Sequence, residues 1–215
     1  MAKRHIFFVR HGSTDWNNAL RFQGRSDVPL NDEGRARARR LALRSGGWRG
    51  ARLLCSPMSR ARETADILSA SCGCEVVPRD GLLEMGFGDW EGHSMLEPEK
   101  RDPEAFREWR RSPFERTPPG GESFVEIRSR LLPVLEEASA CDEERVVIVS
   151  HGGVIRAALA ILIGMSLDST WRVKLSNCSV TAVESGGRGF SLVFLNDCLH
   201  LDVAEEILPK IAFTV

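Results

Sequence analysis

Apolar runs and amphipathic stretches alternate along this chain. Ile6-Phe7-Phe8-Val9 is a short apolar run that predicts a buried strand, and Leu30-Asn31-Asp32-Glu33-Gly34 opens an arginine-rich helix reaching about Arg44, with its acids in the first turn. Arg52-Leu53-Leu54-Cys55 predicts a second strand, Ser59 to Ser71 a helix, and Glu75-Val76-Val77 a third strand before Pro78. Residues 81–122 break this rhythm with Gly, Pro, Trp and charges around one short helix, Asp102 to Arg111. The capping-box sequence Ser123-Phe124-Val125-Glu126 then starts a helix to about Ser139, with Pro133 predicted to kink it. Val146 to Val149 predicts a central strand, Val154 to Ile163 a buried helix, and Ser179–Val183 with Phe190–Leu195 a hairpin across Gly186-Gly187-Arg188-Gly189.

Strands alternating with helices mark right-handed crossover units. The expected fold is α/β, a three-layer α/β/α sandwich around a mostly parallel sheet. Residues 1–215 read as one domain, with the segment at about 85–122 a small cap insertion too short to hold its own core.

Composition narrows the function. Lys and Arg number 29 against 30 Asp and Glu, so no broad polyanion-binding surface is expected and nucleic acid is not an expected partner. The N-terminal apolar run is too short for a secretory signal, and the most apolar later stretch, Val154 to Met165, is too short to span a bilayer and contains Arg156. A cytoplasmic protein without membrane attachment is expected, as a monomer or homodimer. Six scattered cysteines without CxxC spacing read as free thiols. Arg35, Arg37, Arg39, Arg40 and Arg44 read mostly as a solvated helix face, with Ala36, Leu41 and Leu43 supplying its apolar contacts.

Two of the apolar runs end on His-Gly: Arg10-His11-Gly12 and Ser150-His151-Gly152-Gly153. Ligands of open parallel sheets bind beyond the carboxyl ends of the strands, so the two imidazoles are expected to converge there. Ser56-Pro57-Met58-Ser59-Arg60 places Arg60 at a helix start, whose dipole and free N–H groups suit an anion. Arg10, Arg60 and His151 are the expected donors around a phosphate dianion. Neighbouring cations are expected to keep His11 neutral and nucleophilic, and Glu84, after an expected strand end and before a glycine-rich loop, is the carboxyl group that can shuttle the proton.

Val9 to Asn17, Arg21-Phe22-Gln23-Gly24 with Asp27-Val28-Pro29-Leu30, Ser56 to Thr64, Glu84 to Gly92 and Ser150 to Val154 together resemble the histidine phosphatase superfamily, the phosphoglycerate mutase-like fold. The resemblance implies a phosphohistidine at His11, a pocket from Arg10, Arg60 and His151, and Glu84 as proton donor and acceptor. It also implies that Asn17 and the Gly152 backbone bind phosphate and that Gln23 and Gly24 lie near the substrate. Thr14 reads as a hydrogen-bonded loop residue. Ser13 stands where many members of that family carry glutamate.

No metal or cofactor is implied. The expected activity is hydrolysis of a small phosphorylated metabolite. The segment Glu84 to Gly92, with Pro118 to Phe124, is most similar to alpha-ribazole phosphatases, and Phe106, Trp109 and Phe114 are either core packing or a stacking surface for a flat base. His5, His93 and His200 read as structural, and Trp16, Trp48, Trp90 and Trp171 as packing or pocket-floor groups. Two other readings stand beside hydrolysis: phosphoryl transfer to a second substrate hydroxyl, as in a mutase, and a phospho-ligand binding protein without turnover.

Overall fold

A computed structural model describes residues 3–187 and 189–202. Arg188 of the expected hairpin turn and the tail from residue 203 lie outside the described residues. Six strands form one sheet, in the order β3-β2-β4-β1-β5-β6: β1 (His5–Arg10), β2 (Arg52–Cys55), β3 (Val76–Pro78), β4 (Arg145–Ser150), β5 (Val180–Gly186) and β6 (Gly189–Asp197). β1, β2, β3 and β4 run parallel; β5 is antiparallel to β1, and β6 to β5. The sheet is therefore mostly parallel, as expected.

Alternation along each strand divides the core between the two faces. Phe7, Val9, Leu53, Val147 and Val149 pack with α2 (Asp32–Arg44) and α3 (Ser59–Cys72). Ile6, Phe8, Leu54, Val146 and Ile148 pack with α6 (Phe124–Ala140) and α7 (Gly152–Ile163). Helices thus cover both faces, which is why the central strands read as unbroken apolar runs rather than alternating ones. Among the described residues no disulfide joins the cysteines, and no described helix is long and apolar enough to cross a membrane.

Several boundaries and packing assignments differ from the sequence reading. α6 continues through Pro133 as one helix. α7 starts at Gly152, two residues earlier than its apolar pattern suggests, because the two glycines already have helical backbone. The short helix α4 (Glu97–Arg101), unpredicted in the polar run, precedes α5 (Pro103–Arg111). In α2 the inward residues are Ala38, Leu41 and Ala42, whereas Leu43 is 50% exposed. Arg44 is not on the solvated face: it is buried and meets Asp197 through two hydrogen bonds of 2.8 and 3.1 Å.

The remaining short elements are α1 (Asp15–Asn18), α8 (Leu167–Trp171) and α9 (Leu199–Asp202). Phe106, Trp109 and Phe114 are all buried, in a cluster with Phe22, Phe87 and Trp90.

Candidate active site

The parallel register of β1 and β4 pairs His5 with Arg145 and ends by pairing Arg10 with Ser150. The next residue of each strand is a histidine. Their ring centroids lie 5.0 Å apart, and His11 is 2% exposed and His151 fully buried. The convergence read from the two His-Gly sequences is therefore a consequence of strand register.

His11 is oriented by its neighbours. Its Nδ1 lies 2.7 Å from the Gly12 carbonyl, so Nδ1 carries the proton and Nε2 keeps its lone pair. Burial first, then Arg60 and Arg10, holds its pKa well below the ordinary histidine range. The cations expected to keep this ring neutral are thus the secondary cause. Gly12 must lack a side chain, because a β-carbon there would stand 2.7 Å from the Gly34 carbonyl oxygen, where the first turn of α2 presses on the histidine loop.

Arg60 is fully buried in the first turn of α3. It donates from Nη1 to Ser26 O and from Nη2 to Gly24 O, both at 2.9 Å, and from Nε to His151 Nδ1 at 3.3 Å. The helix terminus itself is occupied, because Asp27 Oδ1 accepts from both Ser59 N and Ser59 Oγ at 2.8 Å. The Arg60 side chain, not the start of α3, is what can meet an anion here.

His151 has Ser56 Oγ at 2.8 Å from Nε2, so both of its ring nitrogens face protein groups. Its pKa is also pushed well down, by burial and then by Arg60. The expectation that His151 offers a ready donor is corrected: with Nδ1 accepting from Arg60, the neutral ring has no N–H directed to a ligand. Arg10 donates from Nη1 to Leu175 O at 2.5 Å, while its buried Nε has no partner.

Glu84 is 9% exposed and follows the 3-10 turn Asp80–Leu82 rather than a strand end. Its Oε1 accepts from Met85 N at 2.8 Å and its Oε2 from Gly153 N at 3.4 Å. Arg130 on α6 anchors this loop through Gly81 O and Glu84 O, and is itself paired with Glu122. The carboxylate therefore reaches the site across the start of α7.

Asn17 and Gln23 share one organiser. Asn17 Oδ1 accepts from Thr14 N at 3.1 Å and from Asn177 Nδ2 at 3.2 Å, and Gln23 Oε1 accepts from Thr14 Oγ1 at 3.0 Å. With both carbonyl oxygens engaged, the two amide NH2 groups are the ends left to meet a ligand. Thr14 is the hydrogen-bonded loop residue its setting in the sequence indicates.

Arg10, His11, Asn17, Gln23, Gly24, Arg60, Glu84 and Gly152 all line one cavity of about 310 Å³. His151 stands behind this wall, next to His11 and Arg60. The carbonyl of Gly24 is engaged by Arg60, and Gly152 presents the first turn of a 12-residue helix to the cavity. Trp16, Phe22, Phe87, Trp109 and Trp171 add an aromatic wall. Among the described residues no cluster of His, Cys, Asp or Glu is arranged to hold a metal ion.

Sequence reasoning missed three contributors. Asn177 reaches the carbonyls of His11 and Gly12 from 165 or more residues away, which no local motif signals. Glu91 accepts from the backbone of Arg25, Ser26 and Phe87 and so joins the two loops that border the cavity. Arg156 also lines the cavity; its signal was being the one charge in the apolar helix α7.

The likeness to known proteins extends along nearly the whole chain. The model of the histidine phosphatase superfamily (branch 1) matches residues 6–198. A Hydrogenobacter thermophilus protein named "Putative phosphoserine phosphatase 2" is 32% identical, over 92% of this chain and 97% of its own length. A mycobacterial glucosyl-3-phosphoglycerate phosphatase, solved with VO3, is similar at a TM-score of 0.82 and 31% identity, covering 90% of this chain and 98% of its own. The alpha-ribazole phosphatase of Shigella flexneri superposes at 0.78 with 27% identity, covering 90% and 96%. The chain belongs to the histidine phosphatase superfamily, branch 1.

Proposed function

We propose that this protein hydrolyses a small phosphorylated metabolite by way of a phosphohistidine on His11. The observation that carries the reading is the 2.7 Å contact of His11 Nδ1 with the Gly12 carbonyl, which leaves Nε2 unprotonated near the guanidinium groups of Arg60 and Arg10. In the first step the Nε2 lone pair forms the N–P bond as the ester P–O bond breaks, and the departing oxygen takes the proton of the Glu84 carboxyl group. In the second, water attacks phosphorus, gives its proton to the Glu84 carboxylate, and the N–P bond breaks to release phosphate.

Arg10, Arg60, the amide groups of Asn17 and Gln23 and the N–H of Gly152 bind the phosphoryl oxygens as charge shifts onto them. His151 Nδ1 accepts from Arg60 Nε and so helps to orient that guanidinium.

The substrate expectation can be narrowed. Of the three aromatic residues that could stack on a flat base, Trp109 lines the cavity, while Phe106 and Phe114 are core residues. Alpha-ribazole 5′-phosphate is therefore the aromatic member of a test panel with 3-phosphoglycerate, phosphoserine and fructose 2,6-bisphosphate.

Rapid quenching with ³²P-labelled esters tests the mechanism. The expected result is an acid-labile, alkali-stable label on the wild type, none on His11→Asn, and free phosphate released at the steady-state rate. Binding without label would show a non-catalytic phospho-ligand protein, and label passing to a second hydroxyl instead of water would show a mutase.

A further inference from the structure

Arg156 lines the same cavity but has no part in the phosphoryl transfer described above. It stands one turn beyond Gly152 in α7. Its Nε donates to Thr170 O at 3.1 Å and its Nη2 to Val173 O at 3.0 Å, and its guanidinium carbon lies 4.7 Å from the centre of the Trp171 ring. Both acceptors are neutral carbonyls. Among the described residues no carboxylate lies within ion-pair distance of Arg156.

Arg44, inward on α2 and away from the site, is treated differently. Arg44 is buried against the Asp197 carboxylate. Arg156 is half-buried, and a guanidinium partly removed from water without a counter-ion is stabilised when an anion reaches it. Nη1 of Arg156 is free to make that contact. It lies 3.0 Å from where a Gly152 β-carbon would stand, and Arg10 Nε lies 3.7 Å from the same point, so the two cations border adjoining parts of the cavity. When Glu84 carries the leaving-group proton, the two charges of the phosphate face three guanidinium groups, those of Arg10, Arg60 and Arg156, and one positive charge remains.

We propose that Arg156 is a specificity-determining residue that binds a second anionic group, carried by the leaving-group part of the substrate. The preferred esters are then those with a carboxylate or a second phosphate a few atoms from the ester oxygen. A carboxylate suits the planar Nη1–Nη2 edge in two-point contact. This inference rests on the hydrolase reading and adds the substrate class.

Matched pairs test it on the wild type alone. 3-Phosphoglycerate is compared with glycerol 3-phosphate, and phosphoserine with phosphoethanolamine; each pair differs by a carboxylate. Fructose 1,6-bisphosphate against fructose 6-phosphate tests a second phosphate. At least one charged member is expected to have a kcat/KM about 10- to 100-fold above its partner, the range of a charge-assisted hydrogen bond. Which pair shows it identifies the anion.

In Arg156→Met the ratio is expected to fall close to one, and in Arg156→Lys to stay between. A wild-type ratio below about threefold in every pair overturns the proposal, as does an Arg156→Met loss shared equally by both members of each pair, which would assign Arg156 to the transferred phosphate itself. Calorimetric affinities of the same pairs read the preference without turnover, so an enzyme that hydrolyses none of these esters would refute the hydrolase reading while still deciding this one.

Discussion

A β-carbon on Gly153 would lie 2.7 Å from Oε1 of Glu84. The carboxyl group proposed to shuttle the proton therefore occupies space that any other residue at 153 would claim. Gly153→Ala is expected to move Glu84 by about 1 Å and to lower kcat about a hundredfold for alkyl phosphates. Aryl phosphates with good leaving groups need less protonation and should lose less. Steady-state kinetics on both ester types checks this; equal losses would mean that the displaced group is not the acid.

Thr14 holds the amide oxygens of both Asn17 and Gln23 and caps α1. Thr14→Val keeps the shape and removes the hydroxyl that donates to Gln23 Oε1, so the Gln23 amide can rotate, while Asn17 Oδ1 still accepts from Thr14 N and Asn177 Nδ2. Inhibition by inorganic phosphate is expected to weaken about tenfold, with about 1 kcal/mol lost from stability at the cap. A variant that bound phosphate as tightly as the wild type would show that the Gln23 amide is positioned by something else.

His11 and His151 are both buried with their pKa values pushed well down. In the fold they stay neutral, while in the unfolded chain they take up protons near pH 6.5, so stability is present above that pH and is lost as the pH falls below it. Each contributes a slope of up to about 1.4 kcal/mol per pH unit. Urea unfolding at pH 7, 6 and 5 should show a shallower acid loss in His11→Gln than in the wild type. The sequence singles out His11 as a candidate but does not show its burial: a residue in a loop after a strand reads as surface, and only the packing of Gly12 on Gly34 shows how that loop is covered.

Asp197→Ala removes the carboxylate facing Arg44, and with Asp197 itself partly exposed the expected cost is about 1 to 2 kcal/mol. Activity should hold, since the pair lies outside the cavity. Thermal melts and kcat on one ester check the two halves of this statement.

The order of strands and helices could be read from hydrophobic periodicity, because buried parallel strands and their crossover helices carry long, regular patterns. So could His11, Arg60 and Glu84, which sit in compact local motifs. Arg44 and Arg156 could not. A helix position one residue from solvent and one residue from the core carries the same letter, and what separates them is a partner far along the chain: Asp197 for one, the carbonyls of Thr170 and Val173 for the other. The occupied start of α3 was hidden for the same reason, since its capping carboxylate, Asp27, comes from a loop 32 residues earlier.

The separation of the two histidine rings is measured out by the β1–β4 ladder, which ends at Arg10 and Ser150. Surface segments can lengthen, shorten or change composition without altering that spacing. Apart from Asn17, Gln23 and Glu84, the wall residues within 13–31 and 83–122 can therefore change what the cavity accepts while the two rings keep their distance.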